Sequence, residues 1–143
     1  RLRERFVADR EAQLSRNVET EINAYVQAEL SQSDFKFTPK KDMLVATGGA
    51  FVVSRAILAA QQGQRIDERY PVLKIEELSA LKRQLCALPL HERMAVPHLP
   101  ASRADIIPTA LITILALLNH AGRKSLTHSF YNLRYGIAAE LLQ

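Results

Sequence analysis

The chain has a single cysteine, Cys86, so no disulfide can close within it, and the composition fits a reducing, cytoplasmic compartment. Cys86 falls beside the apolar stripe Ile75, Leu78, Leu81, Leu85 and Leu88, a setting that predicts a packed thiol rather than a nucleophile. A membrane-length apolar run is also missing. The most apolar stretch, Ile106 to Leu118, has 13 residues interrupted by Pro108, Thr109 and Thr113, against the roughly 20 needed to cross a bilayer. It reads as a buried helix, and no membrane partner is expected. The start of the sequence carries no apolar segment with a small-residue cleavage site, so no signal peptide is expected. Arg1, Arg3, Arg5, Arg10 and Arg16 crowd the beginning without the aromatic interleaving that base stacking uses. They read as a solvated helix face, not as a patch for a nucleic-acid polymer.

Metal and catalytic patterns are equally sparse. His91, His98, His120 and His128 show no His-x-x-x-His or Cys/His spacing, which excludes a recognisable zinc motif, and no metal ligand is assigned. Of the four, only His128 sits near the crevice described below. No Ser/His/Asp arrangement and no paired carboxylates fall near that crevice, so no catalytic residue is assigned within the chain.

What remains is enough for one core: 143 residues, 48% hydrophobic, with a formal charge of +4 and a pI near 9.5. That balance permits a phosphate-rich ligand without demanding one. The organising stretch is Asp42 to Ala60, where the apolar run through Met43, Leu44, Val45 and Ala46 meets Thr47-Gly48-Gly49-Ala50 and then an Ala- and Ile-rich segment from Phe51. This pattern predicts strand, tight turn, helix. Adjacent glycines allow positive φ or close backbone approach, and the helix aims its unpaired N–H groups at whatever sits above the turn. Anions favour such places, although a plain structural turn would use the same residues.

Along the rest of the chain, periodicity predicts an amphipathic helix from Asp9 to Leu30, ended by Ser31-Gln32-Ser33-Asp34, and a lead-in from Phe35 to Lys41. Gln61-Gln62-Gly63 stops the helix after the turn, with Gly63 as its cap. Gln64 to Pro71 reads as a polar connection. A helix follows from Lys74 to Ala87, and Pro89 opens a short helix through Met94 that Pro97 stops. The helix after Pro100 starts either with Asp105 as N-cap or, with a kink at Pro108, with Ser102. Ser125 to Phe130 predicts a second strand and Asn132 caps a last helix through Tyr135, Ile137, Leu141 and Leu142. Two strands separated by a long helical excursion pair in parallel. Their C-terminal ends, Thr47 to Ala50 and Ser129 to Arg134, then converge on one crevice.

Four segments carry a resemblance: Arg1-Leu2-Arg3-Glu4-Arg5-Phe6, Ala46-Thr47-Gly48-Gly49-Ala50, Arg103-Ala104-Asp105-Ile106-Ile107 and Leu133-Arg134-Tyr135-Gly136. In order and spacing the chain resembles the C-terminal part of the exopolyphosphatase/guanosine pentaphosphate phosphohydrolase (Ppx/GppA) family. The resemblance implies an α/β, helix-rich fold with few short strands, part of the second domain of a ribonuclease-H-like (actin, sugar kinase, Hsp70) architecture. It implies a cytoplasmic bacterial phosphohydrolase parent acting on phosphoanhydride bonds of polyphosphate or guanosine penta/tetraphosphate. It further implies Mg²⁺ in that parent, and an acidic base and phosphate loops lying upstream of this chain, which alone would be inactive. Separately, the near-continuous apolar runs Phe51 to Ala60 and Ile106 to Leu118, with only two short strands to cover them, predict self-association into a homo-oligomer. On this reading Thr47, Gly48, Gly49, Ala50 and Arg134 face phosphate, while Arg103 and Asp105 are structural, as cap and ion pair around the buried helix. Two departures from the family pattern stand out: Ala46 and Ala50 replace the outer Gly and Thr of Gly-Thr-Gly-Gly-Thr, and Tyr135 replaces Glu in Arg-Glu-Gly. The first removes a hydroxyl donor, and both bear on nucleotide contacts more than on fold.

Overall fold

The computed structural model describes residues 2–33 and 43–142. The expected lead-in at Phe35 to Lys41, with Asp34 and Asp42, lies outside them. Among the described residues three short strands form one mixed sheet in the order β1 (Val45–Ala46), β3 (Ser125–His128), β2 (Val72–Lys74). β1 runs parallel to β3, with Val45 opposite Thr127 and Ala46 opposite His128. Backbone bonds extend this ladder from Thr127 N to Leu44 O (2.8 Å) and from Ser129 N to Ala46 O (2.9 Å). The two strands therefore end side by side, as the strand-excursion-strand order requires.

β2 is the element that the sequence pattern hid. It pairs antiparallel with β3 and leads without a loop into α4 (Ile75–Cys86), where the Glu77 carboxylate accepts from Lys74 N at 3.0 Å and closes the first turn. The other helices are α1 (Leu2–Phe6), α2 (Arg16–Gln32), α3 (Gly49–Ala60), α5 (Leu90–Met94), α6 (Ile107–His120) and α7 (Leu133–Leu141), with a 3₁₀ turn at Ala101–Arg103. α2 begins well after Asp9, because Ser15 caps it by accepting from Val18 N at 3.3 Å. At the far end of α3, Gly63 takes φ +66° while Gly63 N and Gln64 N return to Ala60 O and Ala59 O. This is the Gly-terminated stop that the sequence predicts.

α6 is the shared wall of two cores. One of its sides, with Ile107, Leu111, Ile114, Leu115 and Leu118, packs against α3, α4 and the sheet through Ile57, Leu78, Leu81, Leu85 and Leu126. Its other side gives Ile112 and Ala116 to a smaller core with Ile22, Val26 and Cys86, which α1 and Leu14 help cover. Cys86 is packed as expected, and burial pushes its thiol up to about 11. α6 starts at Ile107 with Ile106 in the cap position and no side-chain cap, so neither Asp105 nor Ser102 caps it, and Pro108 enters the first turn.

The early arginines are not a uniformly solvated face. Arg3 pairs with Asp105 at 2.9 Å, and Arg5 stacks over Tyr25 at 4.3 Å. Arg93, 1% exposed, donates from Nη2 to Ala12 O at 3.0 Å and from Nη1 to Ala104 O at 3.4 Å. It ties the segment before α2 to the segment before α6.

Candidate functional site

The Thr47-Gly48-Gly49-Ala50 turn joins β1 to α3. Its geometry divides the work of the two glycines. Gly48 takes φ 111° and ψ 169°, a backbone region that is essentially glycine-only. Gly49 opens α3 in ordinary helical geometry, and its missing side chain makes room for Arg103: a Cβ there would stand 2.7 Å from Arg103 Cζ. Close approach and positive φ are therefore both needed, one at each glycine.

Arg103 is the residue whose place the sequence reading missed. It does not pair with Asp105, whose carboxylate is taken by Arg3. Instead its exposed side chain lies from the 3₁₀ turn across the first residue of α3. Among the described residues it has no ion-pair partner. α3 carries no acidic residue in its first turn and no side-chain cap, and Gly49 N and Ala50 N have no backbone acceptor among the described residues. A cation beside the positive end of a helix is electrostatically unfavourable. An anion placed between them would satisfy both.

Thr47 is exposed, whereas Ala50 is half-buried with its methyl group against the main core. What Ala50 offers a ligand is its N–H. Arg134 lies in the first turn of α7, exposed, with its backbone N–H held by Asn132 Oδ1 at 3.0 Å. Because β1 and β3 run parallel and end side by side, α3 and α7 both follow from the same end of the sheet. At this end, His128 is 2% exposed and Phe130 lies against it with ring centroids 4.9 Å apart.

His91, His98 and His120 are spread over other parts of the fold, and the described residues hold no group of three His, Cys, Asp or Glu suited to a metal ion. Among the described residues the turn has the Thr47 hydroxyl and the Arg103 guanidinium, and Asp105 is already paired. Mg²⁺ requires oxygen ligands, carboxylates above all, so the described residues at the turn do not fit it. Among the described residues no helix is long and apolar enough to cross a membrane.

The sequence matches no protein-family model and no curated protein. Solved structures do match. A Ppx/GppA phosphatase of Aquifex aeolicus, as its type II variant, superposes with a TM-score of 0.84 at 19% identity, over 99% of this chain and 46% of its own. An exopolyphosphatase from Cytophaga hutchinsonii gives a TM-score of 0.76 at 20% identity, again over 99% of this chain and 46% of its own. An exopolyphosphatase-like protein gives 0.81 at 16% identity, over 98% and 47%. The chain thus spans about half the length of the structures it matches, and at such identities the likeness is one of fold. The resemblance carried by the four sequence segments holds at that level: the chain has the helix-rich, actin-like fold of the C-terminal part of Ppx/GppA proteins.

Proposed function

We propose that this chain forms one wall of a phosphate-binding cleft in a phosphohydrolase that acts on phosphoanhydride bonds of inorganic polyphosphate or guanosine penta/tetraphosphate. The observation that carries this reading is the Gly48–Gly49 turn, with uncapped α3 N–H groups on one side and, on the other, the Arg103 guanidinium, which has no ion-pair partner among the described residues. Its role in catalysis would be charge neutralisation. Backbone N–H groups and a forked guanidinium suit equatorial phosphoryl oxygens, whose charge grows in the transition state. Thr47 supplies a hydroxyl, and Arg134 a second cation from α7. Among the described residues no carboxylate is free beside the turn to activate water, so on this reading the base belongs to another part of the parent and this chain alone is inactive. Any Mg²⁺ in the parent is held there too.

The same absence of a base supports a second reading, a non-catalytic relative that binds a nucleotide or a protein partner. Association of like chains fits either reading, since Leu133, Ile137 and Leu141 of α7 are 78%, 48% and 80% exposed. A soluble cytoplasmic setting agrees with the packed, unreactive Cys86.

The test is binding of tripolyphosphate to the 143-residue chain, followed through the amide signals of Gly48 to Ala50. Arg103→Ala should weaken binding by about 1.5–3 kcal/mol, the worth of a charge-assisted hydrogen bond, and flatten its salt dependence. Unchanged affinity in that variant, or unmoved turn amides in the wild type, would make the turn a scaffold. Phosphate release from polyphosphate by the purified chain would show that a base has been missed.

A further inference from the structure

Beside the turn lies a second set of basic groups that the proposed cleft does not use. Arg55 of α3 and His128 of β3 are 4% and 2% exposed, and Arg69, just before β2, is 6% exposed. Arg55 Nε, Arg69 Nε and both ring nitrogens of His128 are buried without a hydrogen-bond partner among the described residues. Their charges are unevenly balanced. Arg69 is neutralised by Glu77 at 2.7 Å and also donates to Gln62 Oε1 at 2.7 Å. Arg55 donates from Nη2 to the Arg69 carbonyl but has no carboxylate within ion-pair distance among the described residues. Asp67, an acid whose charge it feels, is exposed and bound to Arg65 at 3.0 Å. Burial and then the Arg69 charge push the Arg55 guanidinium below its ordinary value, and burial and then Arg55 do the same to the His128 imidazole.

Phe130 covers this pair. Arg55 Cζ sits 5.0 Å from its ring centroid, and His128 meets the ring nearly edge-on at 73°. Phe130 itself is 43% exposed and belongs to the connection from β3 to α7, so turning it toward solvent uncovers both groups on the side where the strands end. A cation–π contact and one carbonyl only partly replace the counter-ion that a buried guanidinium needs.

We propose that Arg55 and His128 form an inner anion pocket, closed here by Phe130, which takes a phosphoryl oxygen group of a free or condensed phosphate when Phe130 swings out. The anion supplies the charge Arg55 lacks and acceptor lone pairs for Arg55 Nε. It also favours the imidazolium form of His128, in which both ring nitrogens donate. The site stands on its own geometry, and only the choice of phosphate as ligand rests on the proposed function. A purely structural tie between α3 and the segment before β2 would use the same Arg55 contact with the Arg69 carbonyl, but it would not respond to anions.

The test is an NMR titration of the His128 ring in the 143-residue chain, alone, with inorganic phosphate, and with tripolyphosphate. Alone, His128 should stay neutral below the ordinary histidine range, and with a saturating anion its midpoint should rise by about one unit or more. Response to both anions means a monophosphate pocket; response to tripolyphosphate alone means a pocket reached by a chain from the turn, and either supports the proposal. Arg55→Gln should abolish the rise. Phe130→Ala, which removes the closed state, should tighten binding about tenfold. Should Arg55→Gln fail to fold, the wild-type titration decides without it. An unmoved His128 midpoint in both anion arms overturns the pocket. The Gly48 to Ala50 amides in the same spectra report separately on the turn, so moved amides with an unmoved His128 would sink this inference and leave the cleft reading standing. The reverse would sink the cleft reading alone.

Discussion

Replacing each glycine of the turn by alanine in turn separates their two roles. At Gly48 the backbone holds φ 111° and ψ 169°, and an alanine there is expected to cost about 1–3 kcal/mol of strain. At Gly49 the residue is helical, so alanine removes the helix penalty of glycine, worth roughly 0.8–1.0 kcal/mol. Against that gain, the new methyl group must push the Arg103 guanidinium from its place. Because Arg103 is exposed and its side chain flexible, displacing it should cost less than the helix gain. Gly49→Ala should therefore melt at or slightly above wild type, and Gly48→Ala below it by roughly 3–4 °C per kcal/mol at this chain length. Thermal unfolding followed by circular dichroism reads both. The binding order differs from the stability order: Gly49→Ala should weaken tripolyphosphate binding despite its intact fold, because Arg103 no longer reaches the first turn of α3. Equal melting temperatures for Gly48→Ala and wild type would refute the backbone argument. A Gly49→Ala variant that loses stability in proportion to binding would refute the assignment of Gly49 to ligand space.

Arg93→Met keeps the bulk of a buried side chain but leaves the carbonyls of Ala12 and Ala104 without their donor; chemical denaturation should show a loss of about 2–4 kcal/mol, with the earliest amide exchange near residues 10–14. His128, whose folded-state affinity for protons is lowered by burial and by Arg55, binds fewer protons folded than unfolded. Its contribution is present in full above the unfolded value of about 6.5 and is lost as the pH falls below it; urea midpoints at a series of pH values should drop on the acid side, and His128→Leu should flatten that drop. Cys86, with its thiol raised to about 11 and 6% exposed, should resist Ellman's reagent in the native chain and react fully once unfolded. Sedimentation should show self-association that Leu133→Glu with Leu141→Glu suppresses; a wild-type chain that stays monomeric at high concentration would count against the α7 face as a contact surface.

Much of the scaffold was legible because it follows periodicity and punctuation. The spacing of Leu78, Leu81 and Leu85 gave α4, Gly63 ended α3, and Asn132 marked α7. β2 was hidden because Val72-Leu73-Lys74 is three residues long, follows Pro71 and runs directly into a helix, leaving no alternation to detect. The start of α2 was misplaced because Leu14 continues the apolar stripe although Ser15 ends it on the N-terminal side. At the site, the turn itself was visible, but Arg103 was not: its neighbour Asp105 suggested a local pair, whereas the partner of Asp105 is distant Arg3. The burial of Arg55 did carry a signal. An arginine inside a helix apolar on nearly every side must find acceptors within the core, and that inference was available from Phe51 to Ala60 alone.

The mixed sheet also constrains how the chain is made. Among the described residues β1 has β3 as its one strand neighbour, yet β3 is made only after α3, α4, α5 and α6 have followed β1, and β2 depends on the same later strand. Among the described strands no hairpin holds β1 or β2 in the meantime. During synthesis the sheet edges of β1 and β2 must wait on a helical core assembled around α6, and the central strand is threaded between them last. Pauses in translation before Ser125 would therefore prolong a state with two unpaired strands and a rim of apolar surface, the condition under which nascent chains recruit chaperones or aggregate.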